Sequence, residues 1–306
     1  MNNSLNKNRV RKTVNDMSNY KVLKLWTTPT KGTFAGLGRL PSYYGSNKPV
    51  FVIKWGPPAS GKGSVAVKDF IKSLGYPLDT YVNFNIDDVI EATNYFIEES
   101  NRRARNYLKI ANPTPNNENK IVAALNKINF NNSIRLGKTY TNIRNGLGSS
   151  GTKLSNKLNI FLQQAIELRK NITFETTGMG GFPDWLFTER GLSATNYDIH
   201  IVFPLVPFEV TWERYRRRAA KMLIAKKGFR FASWRDGAIK QYRQSYDKFL
   251  DVVADARKMG LLQSVAVLPD GNKPLVYKVS ARAGLRSENM RPIRNAVSKF
   301  RKTSEQ

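Results

Sequence analysis

Gly56, Gly61 and Lys62 stand in the stretch GPPASGKGS, residues 56–64, at the spacing G-x-x-x-x-G-K. Glycines at these places let a backbone fold its N–H groups around an anion, and a following helix adds partial positive charge at its first turn. The lysine then bridges the β- and γ-phosphates of a triphosphate. The motif carries weight only between a strand and a helix. Here the apolar run PVFVIKW precedes it, and Val67, Phe70, Ile71 and Leu74 mark one helix face after it, closed by Gly75 and Pro77. An ordinary strand-to-helix turn would leave a lysine inside a glycine-lined loop unexplained. Residues 56–64 are therefore read as a phosphate loop, with Gly56, Ser60, Gly61, Lys62, Gly63 and Ser64 as the nucleotide-binding set. Gly63 cannot ligate Mg²⁺, so the ion would be held through phosphates, water and a carboxylate such as Asp87 or Glu175. Ser64 is expected to touch a phosphate oxygen.

In an open parallel sheet, chemistry gathers at the carboxyl ends of the strands. The second strand candidate, YVNFNI, leads to Asp87 and Asp88. A carboxylate there can take the proton of an attacking hydroxyl or hold Mg²⁺ through water. The chemistry is assigned to Asp87 and a helix cap to Asp88, with Asp88 also placed beside the substrate. The third strand, NITFE, ends in Glu175 and Thr177, which suit metal-water or substrate contacts. After the fourth strand, YDIHIVFP, a helix carries Arg214, Arg216, Arg217 and Arg218. Phosphoryl transfer needs cations over the transferring group. Arg218, which shares a face with Arg214, and Arg230 beyond the helix are the candidates for a closing lid. His200 lies mid-strand and is read as structural. The Trp and Tyr residues of WERYRRR and QYRQSYDKF could stack on a base, but at helical spacing such residues are more often core.

The elements that position these residues alternate strand with helix, which argues for an α/β fold with a mainly parallel sheet. A polar helical stretch is expected from Asp88 to about Lys109, and a helix stripe at Leu154, Leu158, Phe161, Leu162 and Ala165. A further stripe runs through Ile239, Tyr242, Tyr246, Phe249, Leu250 and Val253. SVAVLPDGNKPLVYKV reads as a C-terminal hairpin. The expected organisation is a basic, partly irregular arm over 1–48, a kinase-like domain over 49–280 with a helical insert at 101–170, and a basic tail over 281–306 with one short helix.

The 306 residues carry 50 Lys and Arg against 23 Asp and Glu, a formal net charge of +27. Such a chain attracts polyanions, so RNA or DNA is an expected partner through arm, insert and tail. With no cysteine and one histidine, disulfides, thiolate metal sites and His-rich metal sites are excluded. No apolar run is long enough to cross a membrane, and the N-terminus lacks the apolar centre of a signal peptide. A cytoplasmic protein is expected.

GPPASGKGS, NIDDV, ITFETTG and RYRRRA together resemble the zeta-toxin group of phosphate-loop kinases, over roughly residues 50–270 by element order. The resemblance implies a phosphate-loop kinase core that uses ATP or GTP and Mg²⁺ to phosphorylate a sugar hydroxyl of UDP-N-acetylglucosamine. Relatives with similar cores act on other small molecules or on nucleic-acid ends. By position it makes Lys62 the phosphate-holding lysine and Asp87 the general base. Glu175 and Thr177 would face the acceptor, and Arg218 or Arg230 would be the lid cation. Two positions depart from the pattern: Ile90 and Met179 stand where the family tends to arginine. They bear on the acceptor and not on the nucleotide. The expectation is a phosphotransferase acting on a hydroxyl of a nucleotide-like, nucleotide-sugar or nucleic-acid substrate. The alternative is a nucleic-acid-associated binding or packaging protein that keeps the kinase fold with little catalysis.

Overall fold

Strand β3, Val50–Trp55, is buried at every one of its six positions. It forms because its residues other than Lys54 are β-branched or aromatic and the strand has sheet on both sides. Numbering from two short strands, β1 (Pro29–Thr30) and β2 (Thr33–Phe34), which pair antiparallel, the chain continues from β3 through helix α1 (Val65–Lys72) to β4 (Tyr81–Phe84). Helices α2 (Ile86–Glu91), α3 (Asn94–Leu108), α4 (Glu118–Asn126) and α5 (Phe130–Gly148) follow, then a helical stretch α6 over 161–167. Next come β5 (Asn171–Thr176), β6 (Asp198–Leu205), α7 (Phe208–Ile224), α8 (Arg235–Lys258), β7 (Leu262–Pro269), β8 (Leu275–Lys278) and α9 (Arg291–Lys302). The computed structural model describes residues 29–30, 33–34, 37, 40–45, 47–91, 93–148, 161–179, 192, 196–231, 233–258, 260–270, 274–278 and 290–305. Most of the expected arm, Leu154 and Leu158, the hairpin turn at 271–273 and the tail residues 281–289 lie outside them.

The six-stranded sheet has the order β4-β5-β3-β6-β7-β8, parallel throughout except for the antiparallel β7–β8 pair. This is the expected α/β architecture, including the C-terminal hairpin. Strand β3 is flanked by β5 on one side and β6 on the other: the chain runs from β3 to the β4 edge, returns to β5 beside β3, then crosses to β6 and continues outward to β7 and β8. The loop after such a strand opens at the topological switch point, where this class of sheet binds ligands.

The backbone divides into two units. One comprises Arg39–Asn85, Gln163–Thr211 and Ile239–Gln306, and holds the sheet. Its α1 buries Val67, Phe70 and Ile71 against Val50, Val52, Val202, Ala266 and Leu268, on one face of the sheet. Ser64 caps this helix by accepting from the Val67 N–H at 3.4 Å. From β3 the other alternating set, Phe51 and Trp55, meets aromatic partners: Phe51 stacks on Phe174, and the Trp55 ring lies 6.2 Å from that of Phe249 on α8. Tyr242, Tyr246, Phe249 and Val253 of the α8 stripe are all buried. Tyr246 donates its hydroxyl to the Val206 carbonyl, so these aromatic residues are core as expected. His200 is also structural, with Nδ1 2.7 Å from the Ser264 hydroxyl.

The other unit, Met1–Gly38, Ile86–Leu162 and Trp212–Ala238, is helical over most of its described residues. The helical stretch expected from Asp88 to about Lys109 is two helices. The α2 helix begins at Ile86, and Thr93 caps α3 by accepting from the Phe96 N–H at 3.2 Å. Asp88 is therefore not a helix cap. It sits inside the first turn of α2, where the helix dipole favours a carboxylate without needing it to bond the backbone. Asp87 is likewise in that first turn and not at a strand end, because β4 stops at Phe84. Trp212 is core, donating its indole N–H to Asn126 Oδ1 at 3.0 Å.

At Gly178, just past β5, φ is +75° and a Cβ would stand 2.3 Å from the Trp55 ring. Gly178→Ala must displace that buried indole, and should destabilise the sheet unit by about 1–3 kcal/mol. A thermal melt indistinguishable from wild type would contradict this packing.

Candidate functional site

Two clusters of functional side chains are present, one in each unit. In the sheet unit, β3 runs into the loop 56–64. Gly56 has φ +141°, Ala59 +62° and Gly61 +89°, three departures from ordinary backbone within six residues. Backbone that turns this way gathers N–H groups into an anion-binding concavity. Gly56 cannot be replaced cheaply, since a Cβ would lie 2.7 Å from Ser60 Oγ and 3.1 Å from the Phe203 ring. Lys62 is buried and arches back over the loop, its ammonium donating to the carbonyls of Gly56 at 2.7 Å and Pro57 at 2.9 Å. Ser60 Oγ is buried and makes no hydrogen bond.

Beside the loop lies a polar set built by strand register. Lys54 of β3 pairs with Glu175 of β5, and Asn83 of β4 pairs with Thr173 of β5. Residues two apart share a face, so the four side chains converge. Lys54 Nζ donates to Asn83 Oδ1 at 2.8 Å and lies 3.6 Å from Glu175 Oε2. Thr173 donates to the same Asn83 oxygen at 2.8 Å, and Lys62 Nζ lies 3.8 Å from Glu175 Oε1. One carboxylate thus stands between two lysines. Thr177, two residues beyond Glu175, is half-buried at the end of β5.

In the helical unit, Asp87 and Glu91 lie one turn apart on α2. Arg230 spans them, with Nη2 2.5 Å from Asp87 Oδ2 and Nη1 2.6 Å from Glu91 Oε1. The Tyr140 hydroxyl donates to Asp87 Oδ1, and Arg144 donates to the Tyr140 oxygen at 3.1 Å. The Arg230 guanidinium also lies over the Tyr140 ring, 4.9 Å from its centre. Arg218 Nη2 reaches both Glu91 oxygens at 3.0 Å. Burial pushes the Asp87 carboxyl up, but Arg230, Tyr140 and Arg144 outweigh it and hold the group below the ordinary carboxylate range. Burial, together with the neighbouring Asp87 charge, pushes the Tyr140 hydroxyl up to about 12. Arg230 is raised despite its burial, because Asp87, Tyr140 and Glu91 surround it. At neutral pH Asp87 is an ionised carboxylate clamped by arginine, with a neutral tyrosine donating to it.

The structure therefore joins Lys62 with Glu175, and Asp87 with Arg218 and Arg230 through Glu91. Asp88 is half-buried in the first turn of α2. The sequence reading missed Lys54, Asn83 and Thr173 in the first cluster, and Glu91, Tyr140 and Arg144 in the second. Lys54 carried a signal, since a lysine inside an otherwise apolar buried strand has to find a partner. Glu91 carried a weaker one, four residues from Asp87 on the same helix face. Tyr140 and Arg144 carried none that spacing reveals.

Arg230→Met leaves the Asp87 charge buried without its main partner. It should cost about 3–5 kcal/mol at neutral pH. Because the wild-type carboxyl is held low, its stabilisation is present at neutral pH and lost as pH falls through the folded-state value. In the variant, protonation relieves the stranded charge, so the difference between the two proteins should narrow below about pH 4. Urea midpoints measured across pH check this, and a gap constant with pH would rule the ion pair out as its source.

No protein-family model and no curated protein sequence matches the chain. A solved structure from work on the PezAT chromosomal toxin–antitoxin system of Streptococcus pneumoniae superposes on 92% of this chain and 99% of its own. The TM-score is 0.42 and the identity 9%. A likeness this loose identifies neither an activity nor a substrate. Among the described residues, no helix is long and apolar enough to cross a membrane.

Proposed function

We propose that the chain is a phosphotransferase that binds ATP or GTP in the loop 56–64 and transfers the γ-phosphoryl group to a hydroxyl acceptor. The observation that carries the reading is the loop itself: positive-φ residues at 56, 59 and 61, and a buried lysine folded back over them, at the switch point of a parallel sheet. The site fits a nucleotide. Ser60 brings a buried hydroxyl with no partner, and Lys62 brings an ammonium that bonds loop carbonyls, with a carboxylate at longer range. It fits Mg²⁺ as a phosphate-bound ion, with Glu175 as the nearby carboxylate acting through water and no hydroxyl at Gly63. When bound, the nucleotide supplies the phosphoryl group and the ion offsets its charge.

The chain's own residues have separable tasks in this reading. Lys62 exchanges its carbonyl contacts for phosphate oxygens and opposes the charge on the leaving side. Lys54, itself bonded to Asn83, holds Glu175 in place by charge. Asp87 is the carboxylate that accepts the acceptor's hydroxyl proton in the transition state. Its ionised form is secured by Arg230 and Tyr140, so it is available as a base at neutral pH. Glu175 and Thr177 contact the acceptor, and Arg218 and Arg230 contribute positive charge. The zeta-toxin resemblance of the motifs supports a sugar or nucleotide hydroxyl as acceptor, while Ile90 and Met179 argue against the same sugar nucleotide.

Lys62→Ala should weaken nucleotide binding roughly 10- to 150-fold, the equivalent of about 1.5–3 kcal/mol for a charge-assisted hydrogen bond. Titration calorimetry with ATP and GTP measures it, and matching isotherms for the two proteins would refute the loop assignment. Asp87→Asn should cut turnover of labelled ATP by on the order of 10²–10⁴ while nucleotide affinity holds. If Asp88→Asn alone has that effect, the roles within the pair are reversed.

A second reading, binding to RNA or DNA, is favoured by α9. This helix buries Ile293 and Val297 and leaves Arg291, Arg294, Lys299 and Lys302 exposed. Together with the net charge of +27, it predicts polyanion binding that falls with salt, at a log–log slope of roughly −0.7 to −0.9 per phosphate contacted. Replacing those four cations with glutamine should make the slope shallower in fluorescence anisotropy. A salt-independent signal would point to an acidic protein partner instead.

A further inference from the structure

The α3 helix carries a second polar concavity, which shares no residue with either cluster described above. It encloses about 510 Å³ and is lined by Ile97, Glu98, Asn101, Arg102, Arg105, Asn106, Ala111 and Lys226. That volume falls within the usual range for small-molecule sites. All of these residues belong to the helical unit.

Charge and hydrogen bonding single this concavity out. Arg102 is already neutralised: it meets Glu99 through two hydrogen bonds, at 2.9 and 2.8 Å, and Arg103 meets the same carboxylate at 2.8 Å. Arg105 and Lys226 form no ion pair among the described residues. Against them the lining sets one carboxylate, Glu98, so the concavity is net cationic. Two of its lining residues each carry a polar atom that is buried without a partner, Oδ1 of Asn101 and Nε of Arg105, so a ligand reaches these atoms only if the side chains turn toward it. Asn101 is 4% exposed. An orphaned buried polar atom costs about 1–3 kcal/mol unless something satisfies it. Here one orphan is a cationic donor and the other belongs to an amide, which can accept through its oxygen and donate through its nitrogen.

We infer that this concavity is a binding site for a small phosphate ester that also carries a hydroxyl. The phosphate oxygens meet Arg105 and Lys226, and the hydroxyl meets the Asn101 amide. Arginine suits this role because its planar fork presents several donors to a phosphate. Lys226 completes the site from the segment after α7, where its backbone turns with φ +55°. The site is independent of the nucleotide loop, so it can hold while the kinase reading fails, and the reverse.

Calorimetric titration of the full chain with ribose 5-phosphate tests it. Saturable binding is expected. Arg105→Gln and Lys226→Asn should each weaken it about 10-fold or more, the lower end for a charge-assisted hydrogen bond. Asparagine tolerates the left-handed backbone at 226, and the lysine there is exposed, so this variant keeps the fold even if Arg105→Gln disturbs it. Lys62→Ala should leave the affinity unchanged. Absence of saturable binding, or binding lost with Lys62→Ala and kept in Lys226→Asn, would overturn the assignment. So would a short RNA oligomer that binds through Arg105 and Lys226 where ribose 5-phosphate does not.

Discussion

A lysine inside a strand that is buried along its whole length has to be neutralised where it stands, and Lys54 sets much of the sheet unit's polar architecture through that need. The strand cannot slip by one residue without moving Lys54 onto the opposite face, among the aromatic partners Phe174 and Phe249 that Phe51 and Trp55 now meet. Its register with β5 brings Glu175 alongside, and the next strand brings Asn83, whose single oxygen accepts from both Lys54 and Thr173. Glu175, fixed in this way, is then the carboxylate that lies near Lys62. A charge that looks misplaced in an apolar run thereby fixes strand register, carboxylate position and the electrostatics beside the loop.

The helical unit solves a similar problem in the opposite sense. There the buried charges are the carboxylates Asp87 and Glu91, and Arg230 is the cation that joins them. Its segment is tied down independently of the ion pairs. The Phe229 N–H donates to Ser100 Oγ at 2.8 Å, and Phe231 stacks on Tyr215 with ring centres 4.9 Å apart. Gly228, at φ +93°, lies so close to Phe96 that a Cβ would stand 2.6 Å from its ring. The guanidinium is thus delivered by packing, which reduces the entropy lost in ordering so long a side chain. Arg218, with a more exposed side chain, reaches only Glu91, and its contribution there is correspondingly screened.

What the sequence disclosed follows from the range of the signals. Strand β3, the loop, α1 and the α8 stripe were legible because each depends on neighbours within a few residues: a run of apolar types, a glycine spacing, a period of 3.6. The start of α2 was misplaced because Ile86 reads equally well as the end of a strand, and only the pairing of β4 with β5, which stops at Phe84, decides between them. The partners of Asp87 were not legible at all. Tyr140 lies 53 residues away and Arg230 lies 143 away, and neither separation leaves a local mark on composition. Lys54 was legible in principle, as an anomaly in hydrophobic patterning, though its partners were not.

The two carboxylate sites differ in how readily they give up their cations, and that difference bears on the proposed function. Glu175 meets its lysines at 3.6 and 3.8 Å, beyond hydrogen-bond range, and its side chain is 22% exposed. Lys62 is held more closely by two backbone carbonyls than by this carboxylate, and carbonyls are weaker competitors for an ammonium than phosphate oxygens are. A triphosphate in the loop could therefore recruit Lys62 without stranding Glu175, since Lys54 remains beside it. Asp87 is bound at 2.5 Å by a buried guanidinium and also by a tyrosine hydroxyl, so its charge is far more firmly committed. A proton passing to Asp87 must be accepted against both contacts. On the proposed function this would be a partial transfer in the transition state, when bonding to phosphorus has already made the attacking hydroxyl more acidic. If the chain is the proposed phosphotransferase, the arrangement favours a base that aligns and polarises a hydroxyl over one that removes its proton in advance, which would suit the loose transition state of phosphoryl transfer, where little nucleophilic push is required.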